Sequence, residues 1–235
     1  MKSILRISEL ILLILIINSC EKDYSGQTGI VTDIEGNSYQ TIGIGSQIWM
    51  AENLKVTHFQ NGDFIVSISN ATDWFSNYSD NLSNIARSYY NYDSASYANT
   101  YGAFYNFYTV ADSRNICPLG WHVPSDSEWS TLTDYLGGED IAGDKLKETG
   151  TTHWVSPVSG SLANANNESN FTALPAGVQS FDGGFFGLGE LGGWWSSTQY
   201  DQELAWRRYV SSNLSVVSRL YNSKCGGLSI RCIKD

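Results

Sequence analysis

Apolar and polar positions change their period several times along the chain. Leu10 to Ile17 is an unbroken apolar run. Between residues 29 and 57 short runs alternate with turn chemistry. Gly29 to Asp33 is strand-like, Glu35-Gly36-Asn37 turns, Ser38 to Ile44 alternates, Gly45-Ser46 turns again and Gln47 to Leu54 follows. Residues 60–100 are rich in Asn, Ser, Asp and Tyr and poor in aliphatics, which predicts a long surface insertion with limited regular structure. Tyr101, Phe104, Tyr105 and Tyr108 then recur at helical spacing.

The clearest helix start is Ser125-Asp126-Ser127-Glu128. The Ser oxygen takes an orphan amide and the Glu three residues on reaches back. Pro124 and Trp129 supply a hydrophobic staple, Trp129, Leu132 and Leu136 share one face, and Gly137-Gly138 ends the helix. A second short helix is expected over Ala142 to Glu148. Residues 150–193 are Gly-, Ser- and Asn-rich, after which strands return at Trp194–Thr198, Ala205–Val210, Val216–Tyr221 and Leu228–Ile233. The pattern predicts an α+β fold, with two or three helices packed on antiparallel strands and long irregular loops. No internal repeat and no clear linker follow residue 28.

Composition narrows the function. The chain has 235 residues, 24 Asp plus Glu against 14 Lys plus Arg, and a net charge of −10. Such a balance, with no cationic stripe, argues against nucleic-acid binding, which draws on clustered Lys and Arg. Charged residues make up only 16%, whereas aromatics reach 13% with eight Trp and fourteen Tyr, so most of the chain is expected to fold.

Lys2 and Arg6 precede the apolar run, which is too short to span the ~30 Å of a bilayer as a helix. That is the layout of a secretory signal over residues 1–19. Ile17-Asn18-Ser19-Cys20 resembles a bacterial lipobox, so Cys20 is the expected lipidation site and new N-terminus. Residues 20–28 read as a flexible tether, and loss of Lys2, Arg6 and Glu9 leaves the remainder one charge more negative. Glu21-Lys22-Asp23 resembles the export signal of Bacteroidota surface lipoproteins. The expected location is the outer membrane, lipid-anchored at the cell surface, with a periplasm-facing protein as the alternative.

Beyond Cys20 three cysteines remain, so one stays unpaired. Cys117–Cys232 would close a loop of over a hundred residues, and Cys225–Cys232 is the local alternative. Zinc has little support, because no CxxC occurs and His58, His122 and His153 are scattered.

Six segments carry a family resemblance: DIEGNSYQTIGIGSQIWMAENL (33–54), YGAFYNFYTV (101–110), CPLGWHVPSDSEW (117–129), ALPAG (173–177), GGWWSST (192–198) and GLSIRCIKD (227–235). Together they resemble the Fibrobacter succinogenes major paralogous domain, common in surface lipoproteins, over about residues 29–235. Residues 60–100 match least well. That family is in turn similar to the C-type lectin-like fold, in which a Cys near a helix start pairs with one on the last strand. The resemblance implies Cys117–Cys232 with Cys225 free. A more distant similarity is to formylglycine-generating and sulfatase-modifying enzymes, through Val123-Pro124, Glu128-Trp129 and Arg231-Cys232.

Those enzymes bind copper through a close cysteine pair, of which only Cys225 has a counterpart here. Neither HExxH nor GxSxG occurs. The carboxylate motifs of calcium-dependent lectins are missing too, and Trp195-Ser196-Ser197 lacks the oxygen ligands calcium needs. No catalytic residue, metal or cofactor is therefore assigned. The expected function is non-catalytic binding of a glycan or a surface protein. An accessory subunit of an outer-membrane complex and a degenerate modifying enzyme are the alternatives. In lectin-like folds the ligand sits on the long loop region, here about 150–193, which nominates Trp154, Phe181, Asp182, Phe185 and Phe186, with Trp195 from the strand that follows. The competing reading places these aromatics in the core. Trp194 and Trp195 alternate in a strand, so one is expected in the core and the other exposed or covered by the loop. Asp93-Ser94-Ala95 matches the O-glycosylation pattern of Bacteroidota and makes Ser94 a candidate site.

Overall fold

A computed structural model describes residues 22–79, 84–156 and 165–235. The signal segment and Cys20 lie outside these residues.

The N-terminal meander forms as its pattern predicts. β1 (Thr28–Thr32), β2 (Ser38–Ile44) and β3 (Gln47–Met50) pair antiparallel. Asp33 closes the first turn: its carboxylate accepts from the N–H groups of Glu35 and Asn37, both at 2.9 Å, and from the Tyr39 hydroxyl at 2.7 Å. The segment expected to be a tether is ordered from Tyr24 onward. Tyr24 N–H donates to Gly45 O (2.7 Å), Gly26 N–H to Gly43 O (3.0 Å), and the Ser25 hydroxyl meets the Tyr135 hydroxyl at 2.6 Å.

The 60–100 segment is more than a surface loop. It holds α1 (Ala71–Ser79), β4 (Arg87–Ser88), a tight turn at Tyr90–Tyr92 and α2 (Ser94–Tyr101). Ile68, Trp74 and Ala86 form a small buried cluster of their own, with Tyr92 packed against it. Aliphatics are scarce in this segment, but one Trp, one Ile and one Ala suffice for a satellite core.

Helical spacing in 101–112 is overridden by its breakers. Gly102 stops α2 in the left-handed region (φ 76°), where a Cβ would lie 2.7 Å from Leu54 O. β5 (Phe104–Tyr105) follows, and Asn106 caps the single turn of α3 (Phe107–Val110) by accepting from Thr109 N–H at 3.1 Å. β6 (Trp121–His122) leads to α4 (Asp126–Tyr135). There both halves of the capping box form: Glu128 N–H donates to Ser125 Oγ (3.2 Å) and Ser125 N–H to Glu128 Oε2 (2.7 Å). α5 (Glu139–Leu146) is the second helix, starting three residues before and ending two residues before the span expected over Ala142 to Glu148.

The 150–193 region contains a hairpin, β7 (Val178–Gln179) with β8 (Phe185–Phe186). Then come β9 (Leu191–Gln199), β10 (Leu204–Ser211) and β11 (Ser218–Ser223), an antiparallel sheet ordered β11-β10-β9. The expected final strand is divided. Leu228 and Ser229 make isolated bridges to Tyr105 and Trp194, and only β12 (Ile233–Lys234) enters a sheet, completing the order β1-β2-β3-β12-β6.

β9 separates two cores. Trp194 packs with Trp49, Trp129 and Phe171, while Trp195 packs with Tyr105, Phe107 and Leu228 on the other side. Both Trp are therefore buried, at 2% and 0% exposure, and neither is left for the surface. The polar edge of each finds a partner: Trp194 Nε1 donates to Asn53 Oδ1 (2.8 Å) and Trp195 Nε1 to Tyr105 O (2.7 Å). Asn53 Oδ1 also receives Arg231 Nε at 3.1 Å. Arg231 lies fully buried, over Phe171 at 4.1 Å, and burial pulls its pKa down to about 9. Beside it a disulfide joins Cys117 to Cys232, with sulfurs 2.05 Å apart. Cys225 is free and half-buried, and burial pushes its thiol pKa up.

Candidate binding surface

The sequence-nominated loop and the 60–100 segment meet in one ribbon of rings. Asp93 caps α2 by accepting from Ser96 N–H at 3.1 Å, and the helix sets Tyr97 and Tyr101 four residues apart on one face. The rings of Tyr90 and Tyr97 lie 5.4 Å apart, and those of Tyr97 and Tyr101 6.3 Å. Tyr101 meets His153 edge-on at 5.8 Å, and His153 Nδ1 is held by Glu148 at 2.8 Å.

The β7–β8 hairpin supplies the other side. Gln179 pairs with Phe185 and Val178 with Phe186. Phe185 sits edge-on to Tyr92 (4.8 Å), tilted against Tyr90 (5.2 Å) and stacked over Phe104 (6.1 Å). The hairpin tip is pinned by Tyr92, whose hydroxyl donates to Gly183 O (2.9 Å) and accepts from Gln179 Nε2 (3.1 Å). Gly183 has φ 88°, and a Cβ there would lie 2.6 Å from Ala71 and 2.7 Å from the Tyr92 hydroxyl. Only glycine permits that approach.

The nominated residues divide accordingly. Phe181 and Phe186 are 45% and 51% exposed, and Phe185 is half-buried within the ribbon. Asp182 is exposed and closes the tip by accepting from Gly184 N–H at 3.0 Å. That bond, with a second from Ser180, holds its carboxyl below the usual range. Trp154 and Trp195 correct the expectation. Trp154 is 5% exposed and donates to Ala173 O at 3.1 Å, and Trp195 is fully enclosed. Trp154 packs into the core cluster that holds Trp129, Leu146, Phe171 and Ala173, and the double-sided burial of β9 takes Trp195. Ser94 is exposed in the first turn of α2.

Tyr90, Tyr92 and Tyr97 escaped the sequence reading and Tyr101 was read only for its helical spacing, although an Asp-capped segment with Tyr at i and i+4 was a usable signal. Burial pushes the phenol pKa values of Tyr92 and Tyr101 up, so these rings stay neutral. Chemically the ribbon offers apolar ring faces with few charges. Among the described residues no group of three or more His, Cys, Asp or Glu is placed to hold a metal.

These features define a mixed α/β domain with antiparallel sheets, a disulfide near its C-terminus and a ring-rich, charge-poor surface. The chain belongs to the Fibrobacter succinogenes major domain family, whose model matches residues 42–234, from within β2 into β12. Comparison with curated proteins and with solved structures returns no match.

Proposed function

We propose that this protein is a lipid-anchored, non-catalytic binding module of the outer membrane and cell surface, and that its ribbon engages a partner protein there. The observation that carries this reading is the cluster of Tyr90, Tyr97, Tyr101 and Phe185, with the exposed Phe181 and Phe186 on the same hairpin. Interface centres are enriched in Tyr and Phe and depleted in charge, and this surface has that composition within an acidic chain. The lipobox-like Ile17 to Cys20 supports the anchor. The finer reading of the fold is lectin-like. It is supported by a bridge from Cys117, ahead of the main helix, to Cys232 near the chain end.

The test compares the wild-type protein with Phe181→Ser/Phe186→Ser in cross-linking and pull-down from outer-membrane extracts, with a glycan array run in parallel. Retention of a defined partner by the wild type, cross-linked through residues 90–101 or 181–186, and its loss in the double variant are expected. Thermal unfolding of the double variant should be unchanged. A partner held equally by both proteins would overturn the assignment. Glycan binding lost in the double variant would change the ligand class from protein to saccharide.

A further inference from the structure

A second aromatic group lies on the β9–β10–β11 sheet, apart from the ribbon. Arg208 pairs with Arg219 and Trp206 with Tyr221, two residues along each strand, so all four side chains point to one face. The first turn of α4 reaches this face: Asp126 takes Arg208 Nη1 at 2.5 Å, and Arg219 through Nε at 3.1 Å and Nη2 at 2.8 Å. The Arg219 guanidinium then lies 3.7 Å from the Trp206 ring centre.

Tyr200 completes the group from the β9–β10 turn, where its N–H donates to Leu204 O at 2.9 Å. Its ring stacks on Tyr221 (4.7 Å, 18° between planes) and meets Trp206 edge-on (5.0 Å, 88°). Tyr200 and Tyr221 are 48% and 50% exposed. Among the described residues, neither phenol hydroxyl makes a hydrogen bond, and Arg219 Nη1 makes none.

The chemistry of such a patch is specific. Fixed ring faces suit the C–H faces of a sugar ring, and free O–H and N–H groups beside them suit its hydroxyls. Charge decides which sugar. Arg208 and Arg219 are offset by Asp126 and by Glu139, whose field acts on Arg219. The patch is therefore near neutrality, whereas an acidic polysaccharide would require surplus cations. Bidentate pairing and stacking also fix the side chains beforehand, which lowers the ordering cost of binding.

We propose that Tyr200, Trp206, Tyr221 and Arg219 form a binding platform for a neutral, pyranose-containing glycan. It is a site separate from the ribbon and does not depend on the partner-protein reading.

The experiment titrates full-length protein in detergent with manno-, cello- and xylo-oligosaccharides and with an oligogalacturonate, followed by calorimetry. Saturable binding of a neutral oligomer is expected. Tyr200→Ala and Tyr221→Ala should each weaken it about fivefold, the scale of one ring contact. Tyr221→Phe should weaken it less. Phe181→Ser/Phe186→Ser should leave it unchanged, which separates a failure here from a failure of the ribbon. Any of four results would overturn the proposal: no neutral oligomer bound, tighter binding of oligogalacturonate, no effect of Tyr200→Ala and Tyr221→Ala, or self-association of the wild type that Tyr221→Ala abolishes.

Discussion

His122 has a carboxylate on each ring nitrogen: Asp235 on Nδ1 at 2.6 Å and Glu128 on Nε2 at 2.9 Å. Only the doubly protonated ring donates to both. Burial alone would lower the His122 pKa, but the bonds to Asp235 and Glu128 outweigh it and the net shift is upward. Glu128 moves the opposite way. Burial would raise it, yet the bonds from Ser125 and His122 hold it down. The sign of each shift fixes a pH window. The His122 contribution is complete below its unfolded value of 6.5 and disappears as pH rises through the raised folded value. The Glu128 contribution is complete above 4.5 and disappears as pH falls through the lowered one. The clamp is thus strongest between about pH 4.5 and 6.5. Because His122 is 39% exposed, its worth stays below about 1 kcal/mol. Urea unfolding across pH should show wild-type stability declining above pH 6.5 relative to His122→Gln. Parallel curves for the two proteins would refute the clamp.

Elements set by local chemistry were legible in the sequence. Ser125 and Glu128 form their capping box within four residues, and Asp33 closes its own turn. Elements set by distant contacts were not. Nothing near Trp194 and Trp195 tells that both faces of β9 are covered. The grouping of Tyr200, Trp206 and Tyr221 depends on a register that shifts between Ala205 and Arg207. Of the ribbon's rings, Phe185 was singled out in the sequence, but Tyr90, Tyr92 and Tyr97 lay in a segment whose polarity disguised its packing. The tether shows the same limit. Its polar residues read as free chain, yet they lie along β2 because Gly43 has no side chain: a Cβ there would sit 1.8 Å from Tyr24 O. Gly43→Ala should therefore release residues 24–27 while the cores persist, at a cost of about 1–3 kcal/mol. Hydrogen exchange checks this, because the Tyr24 and Gly26 amides now donate to Gly45 and Gly43. Both should exchange faster in the variant, with the β9–β10 amides unchanged. Retained protection at Gly26 would contradict the steric account.

At the scale of the whole molecule, two cores meet across β9 and one covalent link fixes the C-terminus. Cys117 and Cys232 are 115 residues apart, and closing a loop of that length is worth about 4–5 kcal/mol in the chain-entropy model. The other end is fixed through Tyr24 and Ser25, which bind Gly45 and Tyr135. With the proposed lipid on Cys20, this docking would limit how far the domain stands from a membrane. A fully extended chain advances at most about 3.5 Å per residue, so the proposed lipid on Cys20 keeps Tyr24 within about 14 Å of its attachment point. On that proposal the β2–β3 turn and the C-terminal end of α4, which hold Tyr24 and Ser25, would be the parts of the domain nearest the anchor. Energy transfer from a donor at Ser46 to labelled headgroups, with lipidated full-length protein on vesicles, measures that height. Gly43→Ala frees residues 24–27, so the leash runs to Thr28 in β1 and its reach doubles to about 28 Å; transfer should fall. A Gly/Ser insert of about twenty residues after Asp23, with an r.m.s. span of about 25 Å, should lower it as well. Equal transfer in all three proteins would mean that the docking of Tyr24 on β2 does not set the domain's distance from the membrane.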